Sequence, residues 1–433
     1  MSSSSSPAVT CLVSAAQGAG ARSQRRGRPR AQAAARPRIV LYSHDTMGLG
    51  HKRRNLLLAE ALGNSGLNAD ILLISGMGDA NALPNVPGLD SLTLPALHKT
   101  ADGQYQARRL GLGLKEIVAL RSQLILSAIK GFRPDLLIVD NVPRGALREL
   151  DASLAYIHRH LPTRCVLGLR DVLDSPAAVR RDWQRADNLA ALRRHYDTVW
   201  IYGDPAIYDP RREYRFPADI TAKMRPLGYL NRRPRRPQQN AALLAQIQQL
   251  ALPPEGELVL CQVGGGQDGA ALALAFAQAP VPVGTTAVLL TGPFMPAEVQ
   301  QQLRALALGN PRLRLVDYLA EPTLLLERAS RVVAMAGYNT TCEILAYRTP
   351  ALLVPRTSPR QEQWIRAERL HRLGLVDLLH PRDLSAAALG DWLHRPLAPP
   401  PSGPAVDLSG LDNLLLDLQR LLAPAPLTAS QAS

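Results

Sequence analysis

Three short glycine-containing segments carry polar side chains directly after predicted buried strands. They are His44-Asp-Thr-Met-Gly-Leu-Gly-His51, Gly264-Gly-Gly-Gln-Asp-Gly269 and Ala336-Gly-Tyr-Asn-Thr-Thr-Cys-Glu343. A glycine loop that opens a helix exposes backbone N–H groups at the positive end of the helix dipole, and this arrangement suits a phosphate. The three segments therefore predict contacts to a phosphate-bearing substrate.

The first segment departs from the dinucleotide-binding pattern Gly-x-Gly-x-x-Gly, because Arg53 stands at the position of the third glycine. A dinucleotide-binding unit also needs an acid at the end of its second strand to hold a ribose hydroxyl. Asp70 begins that predicted strand and does not meet this requirement. The sequence therefore does not predict a nicotinamide-dependent dehydrogenase.

Short apolar runs separated by helical patterns must position these segments. Such runs are typical of buried parallel strands, and their alternation with helices predicts βαβ units. Strands are predicted at residues 38–43, 69–75, 135–140, 164–169, 198–202, 257–263, 287–291, 313–316, 331–335 and 351–354. The predicted helices include residues 53–62, 110–130 and 408–422.

The alternation stops in a stretch rich in Gly, Pro and Arg and then starts again. We therefore predict an α/β protein with two Rossmann-like domains that face each other across a cleft. The predicted regions are a disordered or targeting tail at 1–36, an N-terminal domain at 37–230, a linker at 231–253, a C-terminal domain at 254–424 and a disordered tail at 425–433. Ligands of open α/β folds bind at the carboxyl ends of the strands, so the candidate residues of both halves should meet in the cleft.

The order and spacing of four elements resemble those of MurG-like glycosyltransferases. The elements are Gly-Leu-Gly-His at 48–51, the segments at 264–269 and 336–343, and Pro355 followed by Gln363. That family includes the N-acetylglucosaminyltransferase of lipid II synthesis and the galactolipid synthases. The likeness spans most of residues 38–379. It implies the GT-B architecture and an inverting hexosyl transfer from a nucleotide-sugar, with a UDP-sugar as the expected donor.

The resemblance implies that the donor site lies in the C-terminal domain. Thr340 and Thr341 stand at a predicted helix N-terminus, where they suit a diphosphate, although Thr is also a common N-cap. Glu343 resembles the family glutamate that binds the ribose diol. The predicted donor-binding residues are Gly264, Gly265, Gly266, Gln267, Leu319, Gly337, Asn339, Thr340, Thr341, Glu343 and Gln363.

Two positions depart from the family pattern near Gln363, the residue expected to bind the sugar hydroxyls. Arg360 stands near the family's usual acid, and Arg366 stands where the family usually has Asn. The sequence therefore does not identify the transferred sugar.

The N-terminal domain is expected to bind the acceptor and to supply the general base. His51 resembles the family histidine at the cleft, and the helix dipole at its position disfavours the protonated ring. Asp171 follows a strand that ends at the same cleft, so both residues are candidates for the base. The predicted acceptor-binding residues are Gly48, Gly50, Asp140, Arg144 and Arg170, although arginines of this kind are more often solvated surface residues.

Neither the acids nor the cysteines predict a metal site. No Asp-x-Asp pair stands where it would hold a metal on a diphosphate, and Cys11, Cys165, Cys261 and Cys342 form no Cys-x-x-Cys pair. The cysteine spacing also predicts no disulfide framework and fits a reducing compartment. We therefore predict a metal-independent enzyme without a bound cofactor, in which a helix dipole and hydroxyls stabilise the leaving group.

Half of the formal net charge of +14 comes from seven arginines within residues 1–38, a segment without acids. Such a segment is typical of either an organellar transit peptide or a disordered extension. The charge favours an anionic membrane surface as a possible partner. Nucleic acid is not expected, since no recognised nucleic-acid-binding motif accompanies the charge. We predict a cytoplasmic protein, peripheral at a membrane, or an organellar one if the tail is a transit peptide.

Two other functions stay open at this point. The first is a non-hydrolysing UDP-sugar 2-epimerase, which shares the two-domain architecture. The second is a non-catalytic binding protein on a GT-B fold. Lipid, glycan and small-molecule acceptors all remain possible for a transferase, and the sequence does not indicate the oligomeric state.

Overall fold

A parallel sheet forms the centre of each half of the chain. The computed structural model describes residues 36–45, 50–76, 86–99, 105–232, 241–253, 256–319, 321–397 and 403–423. Predictions that concern the N-terminal tail, Gly48, the middle of the linker and residues 425–433 fall outside these ranges. The described residues belong to one compact unit, in which the two halves contact each other.

The N-terminal half contains strands β1 (Arg38–Ser43), β2 (Asp70–Ser75), β3 (Leu89–Thr93), β4 (Leu97–Lys99), β5 (Tyr105–Ala107), β6 (Leu136–Asp140), β7 (Arg164–Arg170), β8 (Thr198–Tyr202) and β9 (Met224–Pro226). Its helices are α1 (Gly50–Gly63), α2 (Leu114–Phe132), α3 (Asp151–His160), α4 (Pro176–Ala186), α5 (Asn188–His195), α6 (Pro210–Glu213) and α7 (Ala218–Thr221), with a 3₁₀ turn at Ala146–Arg148. Seven strands pair in parallel in the order β3-β2-β1-β6-β7-β8-β9, and β4 and β5 form a separate antiparallel hairpin.

The C-terminal half contains strands β10 (Leu258–Gln262), β11 (Thr286–Leu290), β12 (Leu313–Val316), β13 (Arg331–Ala334), β14 (Ala351–Leu353) and β15 (Asp377–Leu378). Its helices are α8 (Ala241–Gln249), α9 (Ala270–Gln278), α10 (Ala297–Leu308), α11 (Thr323–Arg328), α12 (Tyr338–Tyr347), α13 (Glu362–Arg372), α14 (Ala386–Leu393) and α15 (Gly410–Leu422), with a 3₁₀ turn at Pro381–Asp383. The six strands pair in parallel in the order β12-β11-β10-β13-β14-β15.

The strand order reverses once in each sheet, next to the first strand of each half. β1 lies between β2 and β6, and β10 lies between β11 and β13. Such a switch point opens a crevice at the carboxyl ends of the strands, because the flanking connections leave toward opposite sides. The segment that ends in His51 follows β1, and the segments at 264–269 and 336–343 follow β10 and β13. All three predicted segments therefore stand at a switch point.

Both sheets are buried on their two faces, as the apolar runs predict. Every residue of β6, β8, β10 and β11 is buried, and β1 is buried apart from Arg38. Parallel sheets covered on both sides by helices require strands of this composition. The predicted α/β class with two Rossmann-like sheets is confirmed.

The last helix, α15, packs on the N-terminal half rather than on the half that precedes it in sequence. The indole of Trp200 on β8 donates to Asp417 on α15 at 2.6 Å. The backbone N–H of Tyr229 also donates to the carbonyl of Asp407 at 2.8 Å. These contacts tie the two halves together at the end of the chain.

The predicted helix at 110–130 is observed as α2, which begins only at Leu114. Gly113 has an extended backbone, and its N–H donates to the Glu116 carboxylate at 2.8 Å. The helix therefore begins where the Glu116 carboxylate caps it, and residues 110–113 are not helical. Among the described residues, no helix combines the length and apolar character needed to cross a bilayer.

Candidate functional site

His51, Asp140 and Arg54 form a connected group at the switch point of the first sheet. The Nδ1 atom of His51, in the first turn of α1, contacts Oδ2 of Asp140, the last residue of β6. Arg54 donates from Nε to Asp140 Oδ1 at 2.8 Å and from Nη2 to both carboxylate oxygens at 2.6 Å. Asp140 and Arg54 are buried, whereas the His51 side chain is 17% exposed. The carboxylate therefore orients the imidazole and leaves Nε2 as the ring nitrogen for a reacting group.

The electrostatics of this group keep Asp140 ionised. Burial alone would raise the pKa of Asp140, but the charge of Arg54 and the contact with His51 outweigh it and lower the pKa. His44 lies next to His51, with ring centroids 4.9 Å apart. Burial, together with the nearby His51, lowers the pKa of His44 to about 3. His44 is therefore neutral at physiological pH, and a carboxylate faces His51 Nδ1.

Asp171, the other candidate base, lies in a fully buried ion pair between the halves. The guanidinium of Arg366 on α13 donates from Nη2 to Asp171 Oδ1 at 2.5 Å and from Nε to Oδ2 at 2.9 Å. The Tyr229 hydroxyl donates to Oδ2 at 3.0 Å. Both carboxylate oxygens therefore already accept hydrogen bonds from protein groups.

The start of α12 carries the residues that resemble a donor site. Gly337 is the extended N-cap of this helix, and the N–H of Thr341 donates to its carbonyl at 2.9 Å. Asn339 reaches the other half, since its Nδ2 donates to the carbonyl of Gly50 at 3.1 Å. Thr340 and Thr341 are buried, and Thr341 Oγ1 has no hydrogen-bond partner. A buried hydroxyl without a partner is suited to a ligand at this helix end.

Glu343 lies one turn further along α12 and forms an ion pair across the interface. Its Oε1 lies 2.6 Å from Nη2 of Arg53 on α1, whereas its buried Oε2 has no hydrogen-bond partner. Burial raises the pKa of Glu343, an effect that the Arg53 charge offsets only in part. The residue is thus a desolvated carboxylate with one oxygen free to accept hydrogen bonds.

The glycine loop after β10 is braced against the loop after β11. The N–H of Phe294 donates to the Gly265 carbonyl at 2.9 Å, and Gly266 packs on the backbone of Thr291. Gly264 and the neighbouring Gln267 are exposed. Part of this predicted donor segment therefore packs within the protein, and part of it faces solvent.

The remaining predicted donor residues lie on either side of α12. Gln363 is in the first turn of α13, and its Oε1 accepts from the Arg356 N–H at 3.3 Å. Arg356 also contacts Glu362, at 2.5 Å, and Asp268 in the glycine loop, at 3.4 Å. Leu319 is buried in the core that the two halves share. These contacts link the loop after β14 to the loop after β10.

The predicted acceptor-binding arginines differ in their surroundings. Arg144 donates from Nε to Asp151 at 2.7 Å and from Nη1 to the Ala186 carbonyl at 3.0 Å, so its guanidinium is held within its own half. Arg170 ends β7, and its Nε is buried without a hydrogen-bond partner. Burial and the nearby Arg54 lower the pKa of Arg170 to about 10. Of the two side chains, Arg170 is the better candidate to bind a ligand, because its Nε has no hydrogen-bond partner in the protein.

The sequence reasoning did not predict the acids with which three arginines of the site pair. Arg54 orients Asp140, Arg53 pairs with Glu343, and Arg366 pairs with Asp171. One sequence feature that could have indicated such pairs is Arg53-Arg54, two adjacent arginines at the start of a predicted helix that is otherwise largely apolar. Another is Arg366, a charged residue where the resemblance implies a neutral Asn.

Comparisons with known proteins agree with the observed fold. Residues 260–399 match the glycosyltransferase family 28 C-terminal domain. No curated protein matches the chain. The fold is similar to that of the calicheamicin glycosyltransferase, at 15% identity and a TM-score of 0.52, over 90% of this chain and 94% of that one.

Two further solved structures have the same fold. A glycosyltransferase from Rickettsia africae is 11% identical, with a TM-score of 0.55, over 90% of this chain and 100% of that one. UDP-GlcNAc 2-epimerase from Methanocaldococcus jannaschii is 11% identical, with a TM-score of 0.53, over 88% of this chain and 99% of that one. The chain is therefore an α/β protein of GT-B architecture. The family 28 match supports a glycosyltransferase, and the epimerase likeness keeps that alternative open.

Proposed function

We propose that this protein is an inverting, metal-independent glycosyltransferase that moves a sugar from a UDP-sugar to an acceptor hydroxyl. The observation that carries the proposal is the approach of the two switch points, where Asn339 of α12 donates to Gly50 at the start of α1. This contact brings His51, with Asp140 behind it, opposite the helix end that bears Thr341 and Glu343. A base and a nucleotide site thus face each other from opposite halves.

In the proposed mechanism His51 is the general base. Ionised Asp140 accepts a hydrogen bond from Nδ1–H, so the Nε2 lone pair takes the proton of the acceptor hydroxyl. The acceptor oxygen attacks the anomeric carbon on the face opposite the diphosphate, which inverts the configuration. The bond from the anomeric carbon to the diphosphate oxygen breaks with its electron pair, and the N-terminus of α12 stabilises the resulting charge.

The roles of the other residues follow from their surroundings. Glu343 binds the ribose diol through its carboxylate, and Gln363 binds hydroxyls of the donor sugar. Asp171 serves as the interdomain partner of Arg366, because an acid with both oxygens engaged is a poor proton acceptor. Arg170, with its unpartnered Nε, is the stronger candidate for an anionic group of the acceptor.

Thermal unfolding with UDP, GDP, ADP and TDP tests the nucleotide site. A ligand at 100 times its dissociation constant stabilises a protein by about 2.7 kcal/mol, which a melting curve detects easily. We expect UDP to raise the midpoint, Glu343→Gln to remove the effect, and Glu368→Gln on α13 to retain it. If no nucleotide stabilises the wild type, the transferase proposal loses its basis.

Incubation with UDP-sugars separates transfer from epimerisation. A transferase releases UDP at an acceptor-dependent rate, whereas a 2-epimerase changes the sugar without any acceptor. A non-catalytic protein binds the nucleotide and does neither. Acceptor-independent change of the sugar would establish the epimerase alternative.

We further propose that the acceptor side works at an anionic membrane surface. Leu110, Leu112 and Leu114 are 47%, 39% and 37% exposed and form what we call the leucine patch. The basic residues beside it are Arg108, Arg109 and Lys115. Exposed apolar side chains flanked by basic charge suit an interface with anionic lipid. Because α1 and α2 both start at the carboxyl edge of the first sheet, the patch and His51 share that edge.

Vesicle sedimentation tests this surface. We expect binding to phosphatidylglycerol vesicles, weaker binding to phosphatidylcholine vesicles, and a loss when the three leucines of the patch are changed to Ser. Leu308→Ser provides the control, since this leucine is 90% exposed on α10 in the other half. Equal binding by the triple variant and the wild type would rule the patch out.

A further inference from the structure

Two helix N-termini and a partly buried ion pair, Arg53–Glu343, meet at the contact between the halves. α1 and α12 approach through Asn339 and Gly50, and neither helix has an acid in its first turn. The unpartnered atoms Thr341 Oγ1 and Glu343 Oε2 are buried at the same place. Positive helix ends with unpartnered buried groups suit an anionic ligand, here the diphosphate of the proposed donor.

Arg53 occupies this place in the free protein. Its Nη2 lies 2.6 Å from Glu343 Oε1 and 3.7 Å from Glu321 Oε1. Glu321 has another cation, because Arg232 Nη1 lies 2.5 Å from its Oε2, and it also accepts from Thr323 Oγ1 at 2.6 Å. Glu343 is therefore the acid that depends most on Arg53.

The space beside this ion pair is too small for a nucleoside. A cavity of about 20 Å³ lies between the halves, lined by Arg53, Leu57, Leu230, Arg232, Tyr338, Asn339, Cys342 and Glu343. That volume is close to that of a single water molecule. A ribose that binds Glu343 with both hydroxyls also needs Oε1, which Arg53 now holds. Donor binding must therefore move Arg53 away from the carboxylate.

We propose that Arg53 exchanges partners on donor binding, leaving Glu343 to the ribose and pairing with the diphosphate. This inference rests on the proposed function. The Arg53 side chain is 25% exposed, but its Nη2 atom is buried. A buried guanidinium nitrogen that loses its carboxylate needs another anion, because an unpaired polar group away from water is costly. The diphosphate supplies one at the start of α12, about one helical turn before Glu343. Arg53 belongs to α1, so the half that carries the base also binds the leaving group.

The exchange gives Arg53 a role in the chemical step. When the bond between the anomeric carbon and the diphosphate oxygen breaks, its electron pair stays on that oxygen. A guanidinium hydrogen-bonded to the phosphates stabilises this charge more strongly than the charge of the ground state. Because His51 lies two residues before Arg53 in α1, the same exchange fixes the base relative to the donor.

Binding of uridine, UMP and UDP to the wild type, Arg53→Ala and Arg53→Gln tests the exchange. We expect both variants to bind UDP about 10- to 100-fold more weakly, as for a lost hydrogen bond to a charged group. We expect uridine to bind equally well or more tightly, because Glu343 has lost its competitor. Arg372→Ala on α13 is the control for removing an arginine, and it should bind all three ligands as the wild type does.

Other outcomes separate the possible failures. If the Arg53 variants bind UDP and uridine more tightly by the same factor, Arg53 only competes for Glu343 and does not bind the diphosphate. That result would contradict the exchange. Equal weakening of both ligands would mean that Arg53 shapes the nucleoside pocket, which also overturns it. Melting curves without ligand check that the variants fold. If the wild type binds neither UDP nor uridine, the proposed function itself fails, and this result differs from either pattern of the variants.

Discussion

Arg366 and Asp171 form a bidentate ion pair that joins the two halves with no exposed side-chain surface on either residue. Arg366 also donates from Nη1 to the Ala336 carbonyl at 2.9 Å, in the segment that opens α12. The pair thus connects the end of β7 to two elements of the proposed donor site. Its contacts therefore set how the candidate base and the proposed donor residues are placed relative to each other.

Breaking this pair from one side should be strongly destabilising. Arg366→Met leaves a buried carboxylate without its cation, and Asp171→Asn leaves a buried guanidinium without its anion. Removing one partner of a buried ion pair costs about 3–5 kcal/mol. We expect each single variant to lose stability of that order in urea denaturation.

The double variant provides the control for that prediction. With both charges removed, no unpaired ion remains, so its loss should be clearly smaller than the sum of the two single losses. Additive losses would mean that the two residues act independently, against the observed geometry.

His51→Ala should abolish turnover without unfolding the protein. Asp140 keeps Arg54 as a partner in this variant, so we expect the free energy of unfolding to change by about 1 kcal/mol or less. Loss of a general base lowers kcat by about 10²–10⁴-fold, while nucleotide binding should be retained. His160→Ala on α3, an exposed histidine, should keep full activity.

The comparison with Asp171→Asn decides between the two candidate bases. We expect the loss of activity in that variant to follow its loss of stability, since its carboxylate holds Arg366. If His51→Ala stays active while folded Asp171→Asn is inactive, the assignment of the base is reversed.

Asp140 should contribute to the acid sensitivity of the fold. Its pKa is depressed in the folded protein, so it stabilises the fold above its unfolded pKa of about 3.9 and loses this contribution as the pH falls toward the folded value. Between these two pKa values Asp140 is protonated in the unfolded chain and ionised in the folded protein. Near pH 3 this difference makes stability fall by about 1 kcal/mol per pH unit from this residue alone.

Urea denaturation of Asp140→Asn between pH 5 and pH 3 measures this contribution. We expect the variant to be less stable at pH 5 and to show a shallower decline toward pH 3 than the wild type. Asp391→Asn, an exposed carboxylate on α14, should keep the wild-type slope. An unchanged slope for Asp140→Asn would contradict the depressed pKa.

The local sequence pattern predicted most strands of the two sheets, because a buried strand is recognisable from its own short run of apolar residues. The runs at 38–43, 198–202 and 313–316 are observed with the same bounds. The first two lie inside their sheet and are almost entirely buried, and parallel strands buried on both faces must be apolar throughout. The short strands β3, β4, β5, β9 and β15 were missed. β3 lies at the edge of its sheet and has exposed residues, so its composition resembles that of a loop.

The partners within the site could not be predicted in the same way. Asp171 and Arg366 are 195 positions apart, and His51 and Asp140 are 89 positions apart. Strand order determines these contacts: β6 lies beside β1, which brings Asp140 to the start of α1. A single sequence indicates that Asp140 ends a strand but not which strand lies beside it.

Gly266 should tolerate substitution less well than Gly264, although both have left-handed backbones, with φ of +91° and +65°. A Cβ at Gly266 would lie 2.3 Å from the Thr291 carbonyl oxygen and 2.9 Å from the Met295 nitrogen, whereas a Cβ at Gly264 meets nothing within 4 Å. Gly264→Ala therefore adds backbone strain alone, about 1 kcal/mol, and Gly266→Ala must also displace a packed loop, about 3 kcal/mol in all. Urea denaturation measures both, with Gly309→Ala at the end of α10 as an unstrained control. Equal losses for Gly264→Ala and Gly266→Ala would show that the brace between the two loops contributes nothing to stability.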